Sequence, residues 1–220
     1  MQRLLFLFVV LFGMTVTTSA QNDPAARAIL DKLKTRYTNY TSTEVDFTLI
    51  LEFPEEPKDE QRGHLKQMGE KFRLDLPQQS IISNNETVWL YLKNNQEVQI
   101  NNAEFDEEEM EGFMSPQDMV TMYESGKFAY ALTNEMPEDG RIVQQIEFKP
   151  LDRDSEYSKM RLTLDKKSGD VLRMKVFGRD NSRYTFRIDK LRTNVAFTAR
   201  DFEWQTSECP ECYVEDLRID

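Results

Sequence analysis

From residue 45 to residue 53 the chain takes a period of two, with Val45, Phe47, Leu49, Leu51 and Phe53 alternating with Asp46, Thr48, Ile50 and Glu52. Successive side chains of a strand point to opposite faces, so this period of two commits the segment to a β-strand with at least one buried face. Strand-like runs continue at 63–68, 72–76, 80–83, 87–92 and 97–101, separated by Gly69-Glu70, Pro77, Asn84-Asn85 and Asn94-Asn95. Short runs divided by Asn and Gly turns predict an antiparallel meander. It stops at Asn101-Asn102 and resumes with runs at 128–134, 141–149, 159–165, 171–177 and 183–191, then shorter pieces at 202–204 and 213–219. The expectation is a mainly β protein of the α+β class, with ten to twelve strands, one N-terminal helix and one insertion. Its length suits a single domain over residues 21–220.

Two helical segments interrupt the strand pattern. Asp23-Pro24 pairs a capping side chain with proline at the first helical position, and Ala26, Ile29, Leu30, Leu33 and Tyr37 follow at helical spacing. The insertion, residues 103–126, opens with Asp106-Glu107-Glu108-Glu109 and runs through Met110, Phe113 and Met114. Ser115-Pro116-Gln117-Asp118 then has the form of a capping box, Met119, Val120, Met122 and Tyr123 follow, and Gly126 can end the helix. Methionine is flexible and polarizable, so a Met-rich segment suits either filler in a core or a surface that accepts varied apolar partners.

Met1-Gln2-Arg3, the apolar run from Leu4 to Phe12 and the small residues Thr18-Ser19-Ala20 have the pattern of a secretory signal peptide cleaved after Ala20. The apolar run is about half the ~20 residues a spanning helix needs. Gln21, not cysteine, follows the cut, so the lipid-anchoring pattern is missing. The formal charge is -11, and losing Arg3 with the leader makes the exported chain one charge more negative. A nucleic-acid partner is therefore not expected, because such binding needs a basic face to displace counterions.

The chain has one histidine, His64, which reads as an exposed strand residue beside Lys66 and removes most histidine-based catalysis. No Ser, Asp or Glu has a base and an orienting group in a nucleophile pattern, so a binding protein is expected rather than an enzyme, with no cofactor. The acidic run 106–109 with Glu111 lacks the glycine and alternating ligands of a calcium loop and reads as a solvated loop. Cys209-Pro210-Glu211-Cys212 precedes an alternating strand at the chain end, whereas a thioredoxin-type pair opens a helix. In an oxidising compartment the pair can form a local structural disulfide. A redox pair and a metal site are the other readings, although zinc would need two further ligands.

A long antiparallel sheet must bury its two helical segments against one face. If it curls, alternate residues line the enclosed space, and Phe47, Leu49, Leu51, Phe53, Phe72, Leu74, Trp89 and Tyr91 are the candidates. Met110, Phe113, Met114, Met119, Met122 and Tyr123 would cover it from the insertion. Residues 88–92 are apolar on both parities, so their pattern alone does not choose the inward side.

This order of parts resembles the LolA family of periplasmic outer-membrane lipoprotein carriers. The resemblance is carried by the leader, the helix ending near Tyr37, and the strand with Val45, Phe47 and Thr48. Gly63-His64-Leu65, then Lys71-Phe72-Arg73-Leu74, then the stretch from Ile81-Ile82-Ser83-Asn84-Asn85 to Trp89-Leu90-Tyr91, and finally Val214-Glu215-Asp216-Leu217-Arg218 complete it. It implies an incomplete, strongly curved β-barrel closed by a helical lid, whose cavity holds acyl chains. The implied partners are acylated lipoproteins, an inner-membrane ABC-type lipoprotein-releasing complex and an outer-membrane acceptor not identified by the sequence, with the carrier a monomer. A carrier of another lipid, a sensor of the same fold, and a secreted interaction module with a solid sheet are the rivals. The family's lid-holding arginine on an early strand has no counterpart within residues 67–71, and Lys71 and Arg73 stand nearest as substitutes.

Overall fold

The computed structural model describes residues 22–103 and 115–218. The acidic run 106–109, Glu111 and the candidates Met110, Phe113 and Met114 lie outside the described residues. Helix α1 (Pro24–Thr38) is followed by strands β1 (Thr43–Glu52), β2 (Asp59–Met68), β3 (Lys71–Asp75), β4 (Gln79–Ser83), β5 (Thr87–Leu92) and β6 (Glu97–Asn102). After helix α2 (Pro116–Thr121) come β7 (Phe128–Glu138), β8 (Arg141–Pro150), β9 (Tyr157–Asp165), β10 (Val171–Gly178), β11 (Arg183–Thr193) and β12 (Tyr213–Asp216).

Each meander is antiparallel, and β1 of the first pairs along its length with β11 of the second. Among the described residues the result is one twelve-stranded curved sheet, in the order β12-β6-β5-β4-β3-β2-β1-β11-β10-β9-β8-β7, that does not close on itself. The turns follow residue chemistry. Gly69, Asn85, Gly140 and Gly169 all take positive φ, a region glycine enters freely and asparagine tolerates.

Helix α1 begins where Asp23 accepts a hydrogen bond from Ala25 N at 2.8 Å. The same carboxylate accepts from Leu132 N at 2.9 Å, which ties the helix start to β7. At the other end Arg36 donates to the carbonyls of Ser168 (2.9 Å) and Gly169 (2.6 Å) in the β9–β10 turn. The helix therefore crosses the sheet from β7 to the β9–β10 turn and buries Ala26, Leu30, Leu33 and Tyr37. Ser115 and Asp118 form the capping box of α2, and a 3-10 turn (Met122–Ser125) ends at Gly126 with φ 71°. Tyr123 donates to Asp31 at 2.6 Å and Lys34 pairs with Glu124 at 2.6 Å, which fixes this second helical piece beside α1.

Four segments differ from the sequence expectation. Strand β2 starts at Asp59 and β7 runs on to Glu138, because both continue as polar partners of a neighbouring strand. Pro137 is tolerated there since β7 is an edge. Residues 202–204 are not a strand: Thr198 and Asp201 make a reciprocal cap that winds Ala199–Phe202 into a 3-10 turn. The last strand is shorter than 213–219 and pairs with β6 in parallel, not antiparallel.

Candidate functional site

Directly opposed residues of a ladder share a face, so the register sorts every strand residue. Val45, Leu65, Leu74, Ile81 and Leu90 are successive partners from β1 to β5. Leu49, Phe186, Met174, Leu162, Ile146 and Leu132 run the other way, from β1 to β7. Val45 and Phe47 belong to the same buried cluster as Leu30, Leu33 and Tyr37 of α1 and Met119, Val120 and Tyr123 of the second helical piece. One face of the sheet is thus a continuous apolar surface that carries both helices.

The helices sit over its β7 to β10 side. From β1 to β5 the same face presents Leu49, Leu51, Phe72, Ile81, Leu90 and Leu92, all half-buried. Interspersed with them on the same face, Val45, Leu65, Leu74 and Val88 are fully buried, as is Phe47, which is 2% exposed and stacks on Phe186 at 4.4 Å. Phe53 is 37% exposed at the end of β1 and meets Tyr184 edge-on at 5.8 Å.

Of the sequence-derived candidates, Phe47, Leu49, Leu51, Phe72 and Leu74 share this face, and Phe53 continues their parity at the strand end. Phe47, Leu74, Met119 and Tyr123 are packed core, while Met122 is partly buried against it. Trp89 and Tyr91 are a correction: they oppose Ile82 and Ser80, which share the far face with Arg73 and Asp75. The inward residues of β5 are Val88, Leu90 and Leu92. Leu90 is legible only through its opposition to Ile81, a pairing that residue types alone do not give.

The far face is held by the C-terminal segment. Arg73 donates to Glu208 at 2.6 and 3.0 Å and to Asp75 at 2.9 Å, and Lys66 donates to Asp201 at 2.7 Å. Phe202 is fully buried, and Cys209 and Cys212 form a disulfide. Burial pushes the Asp75 and Glu208 carboxyls up, but the Arg73 guanidinium offsets this and holds both below the usual carboxylate range. The hydrogen bond from Lys66 brings Asp201 down to about 2. Lys71 and Arg73 share the parity of this far face, so neither can reach the helices as a latch.

His64 also lies on the far face and is half-buried rather than exposed. Its ring contacts Asp46 at 2.7 Å and Glu44 at 3.2 Å, and Arg192 bridges the same two carboxylates at 3.0 Å each. This is a closed ion cluster, and among the described residues no group of three His, Cys, Asp or Glu side chains is placed to hold a metal ion.

A family model described as outer membrane lipoprotein carrier protein LolA matches residues 39–205. A sequence comparison with curated proteins finds no match. Among solved structures, an uncharacterized conserved protein from Thermus thermophilus is similar at a TM-score of 0.55 and 12% identity, covering 87% of this chain and 99% of that one. Lipoprotein LppX of Mycobacterium tuberculosis has a TM-score of 0.48 at 11% identity, over 81% of this chain and all of its own. A LolA superfamily protein of Nitrosomonas europaea has a TM-score of 0.43 at 13% identity, over 81% and 97%.

Proposed function

Because this chain belongs to the LolA family of outer membrane lipoprotein carrier proteins, we propose that it is a periplasmic carrier. It takes the acyl chains of lipoproteins on its helix-bearing face and moves them from the inner toward the outer membrane. The observation that carries this reading is the row of half-buried apolar residues from β1 to β5, Leu49, Leu51, Phe72, Ile81, Leu90 and Leu92, on the face that also seats the helices. Leu49, Phe72 and Ile81 border the packed core while Leu51, Leu90 and Leu92 extend the apolar face beyond it. Each buried CH₂ is worth about 0.8 kcal/mol, so transferring several long acyl chains needs an apolar surface of this kind to replace the bilayer. Adaptable aliphatic side chains suit reversible loading. Residues 1–20 direct export and are removed after Ala20, the donor is an inner-membrane ABC-type releasing complex, and the loaded carrier is a one-to-one complex.

The test is release. Protein 21–220 is added to host spheroplasts carrying a labelled outer-membrane lipoprotein, and a soluble one-to-one complex should form only when ATP is available. A folded protein that releases nothing yet binds an acyl probe would be a carrier of another lipid or a sensor, and one that binds no acyl probe ends the proposal. Leu90→Asp should lower acyl-probe affinity about tenfold or more, because a carboxylate loses its hydration beside an alkyl chain. Tyr91→Asp, on the far face, should leave that affinity unchanged. Titration of both variants with one fluorescent fatty acid checks the pair.

A further inference from the structure

We propose that the helix-bearing face of β6 and β12 receives the polar head of the acyl ligand, where Glu97 and Gln99 favour an acylated peptide over a phospholipid. This inference rests on the carrier reading and names what that site selects. In the strand order β5 is followed by β6 and then by β12. The register places Leu92 opposite Glu97, Leu90 opposite Gln99 and Val88 opposite Asn101. Parallel pairing sets Tyr213 beside Glu97 and Glu215 beside Gln99. Opposed residues share a face, so the apolar row gives way to a polar strip within one strand spacing, about 5 Å. Leu90 and Leu92 lie outside the packed core, and Glu97, Gln99 and Asn101 are half-buried, so chain and head meet at that line.

The chemistry of the strip is one-sided. Gln99 Nε2 donates to Glu97 Oε1 at 2.8 Å, which uses an amide donor within the strip and holds the carboxylate in place. What remains is weighted toward acceptors, since an ionised carboxylate only accepts. Strands β4, β5, β6 and β12 contain no lysine or arginine. Lys93, just past β5, is turned to the Leu76 carbonyl at 2.6 Å, and Arg218, just past β12, is bound to Asp216 at 2.6 and 2.8 Å.

Alkyl chains alone do not tell a lipoprotein from a phospholipid, because both present the same CH₂ surface to the row. Selection must come from the heads, and specificity is a difference of affinities often set by what repels the wrong partner. A phosphodiester head is anionic and accepts hydrogen bonds without donating any, so it meets Glu97 as a like charge. At about 5 Å beside water that costs roughly four- to tenfold in affinity. A glyceryl-cysteine peptide whose amine is acylated has no charge at that place and brings main-chain N–H donors, which carboxylate and amide oxygens accept.

The test puts two heads on the same pair of chains. Exported chain 21–220 is loaded with the neutral dye Nile red. It is then titrated with N-acetyl-S-[bis(octanoyloxy)propyl]-cysteinyl-serine amide or with dioctanoyl phosphatidylglycerol, each kept below its micelle concentration. The peptide should displace the dye at a concentration at least about fivefold lower than the phospholipid. Glu97→Gln should cut that preference to about a third or less, and Glu97→Lys should abolish it through tighter phospholipid binding. Glu86→Lys, the same charge change at the exposed β4–β5 turn, should leave the preference as in the parent. Equal displacement by both ligands in the parent, or a preference that Glu97→Lys leaves intact, would overturn the strip while the acyl row stands. A chain that yields its dye to neither ligand would end the carrier reading and the strip with it.

Discussion

Phe47→Ala is expected to destabilise the protein by about 3–5 kcal/mol, the range for deleting a buried aromatic ring, and to do so as a core defect rather than a binding defect. The ring is 2% exposed, stacks on Phe186 at 4.4 Å, and lies over Gly63 of β2. A methyl group at residue 63 would stand 2.2 Å from Phe47 Cζ, so no side chain fits there while the ring is present. Gly63→Ala alone should therefore cost about 1–3 kcal/mol through overpacking. In the Phe47→Ala background the same change should cost little, because the added methyl enters the space the ring vacated. The coupling in this double-mutant cycle, read by urea denaturation, should be favourable by at least about 1 kcal/mol. Additive losses would mean that ring and glycine do not meet. A fully stable Phe47→Ala protein that fails to bind an acyl probe would make Phe47 part of the lining instead of the core.

Phe47 also shows how far the sequence can be read. Its alternation with Asp46 and Thr48 identifies the strand and its apolar face, since one buried face per strand is enough to set the period. The capping residues Asp23 and Ser115 locate both helix starts, because caps are local chemistry. What alternation does not give is depth, and Phe47 and Leu49 look alike in sequence although only the first is core. Depth depends on where α1 lies, and that is set by long-range bonds such as Leu132 N to Asp23. Parity fails at residues 88–92 for a related reason. Trp89 and Tyr91 lie half-buried on the far face opposite Ile82 and Ser80, so both faces of β5 are apolar and Trp89 reads as inward. His64 reads as exposed because Glu44 and Asp46, which also hold Arg192, meet it only across the β2–β1 ladder. The bulges in β10 and β11 do mark the pattern, since Val171 and Leu172 are adjacent apolar residues and Ile188 and Leu191 stand three apart instead of two.

Arg73→Met should cost about 2–4 kcal/mol at pH 7, because it strips the cation from Asp75 and Glu208 and leaves two poorly solvated carboxylates on one face. The three side chains are 18%, 27% and 25% exposed, which places the loss somewhat under that of a fully buried pair. The pH dependence has a definite sign. In the parent protein both carboxyls sit below the usual range, so their contribution is present above the unfolded values near 4 and is lost as pH falls through the folded values. In Arg73→Met burial is opposed only by the Ser80 hydroxyl and Lys93 at Asp75 and by the Gln205 amide at Glu208, so both carboxyls move up and the penalty is relieved as they protonate. The stability gap between the two proteins should therefore be widest at pH 7 and shrink steadily toward pH 3. The damage should also be local. Glu208 anchors the segment that leads through the disulfide to β12, so amides of Tyr213–Asp216 should exchange faster in the variant while those of β8 and β9 change little. Denaturation at pH 7, 5 and 3 with amide exchange at pH 7 tests both halves. A gap that does not vary with pH would show that Arg73 acts through packing alone, and uniform loss of protection would show that the C-terminal segment is not a separable unit of the fold.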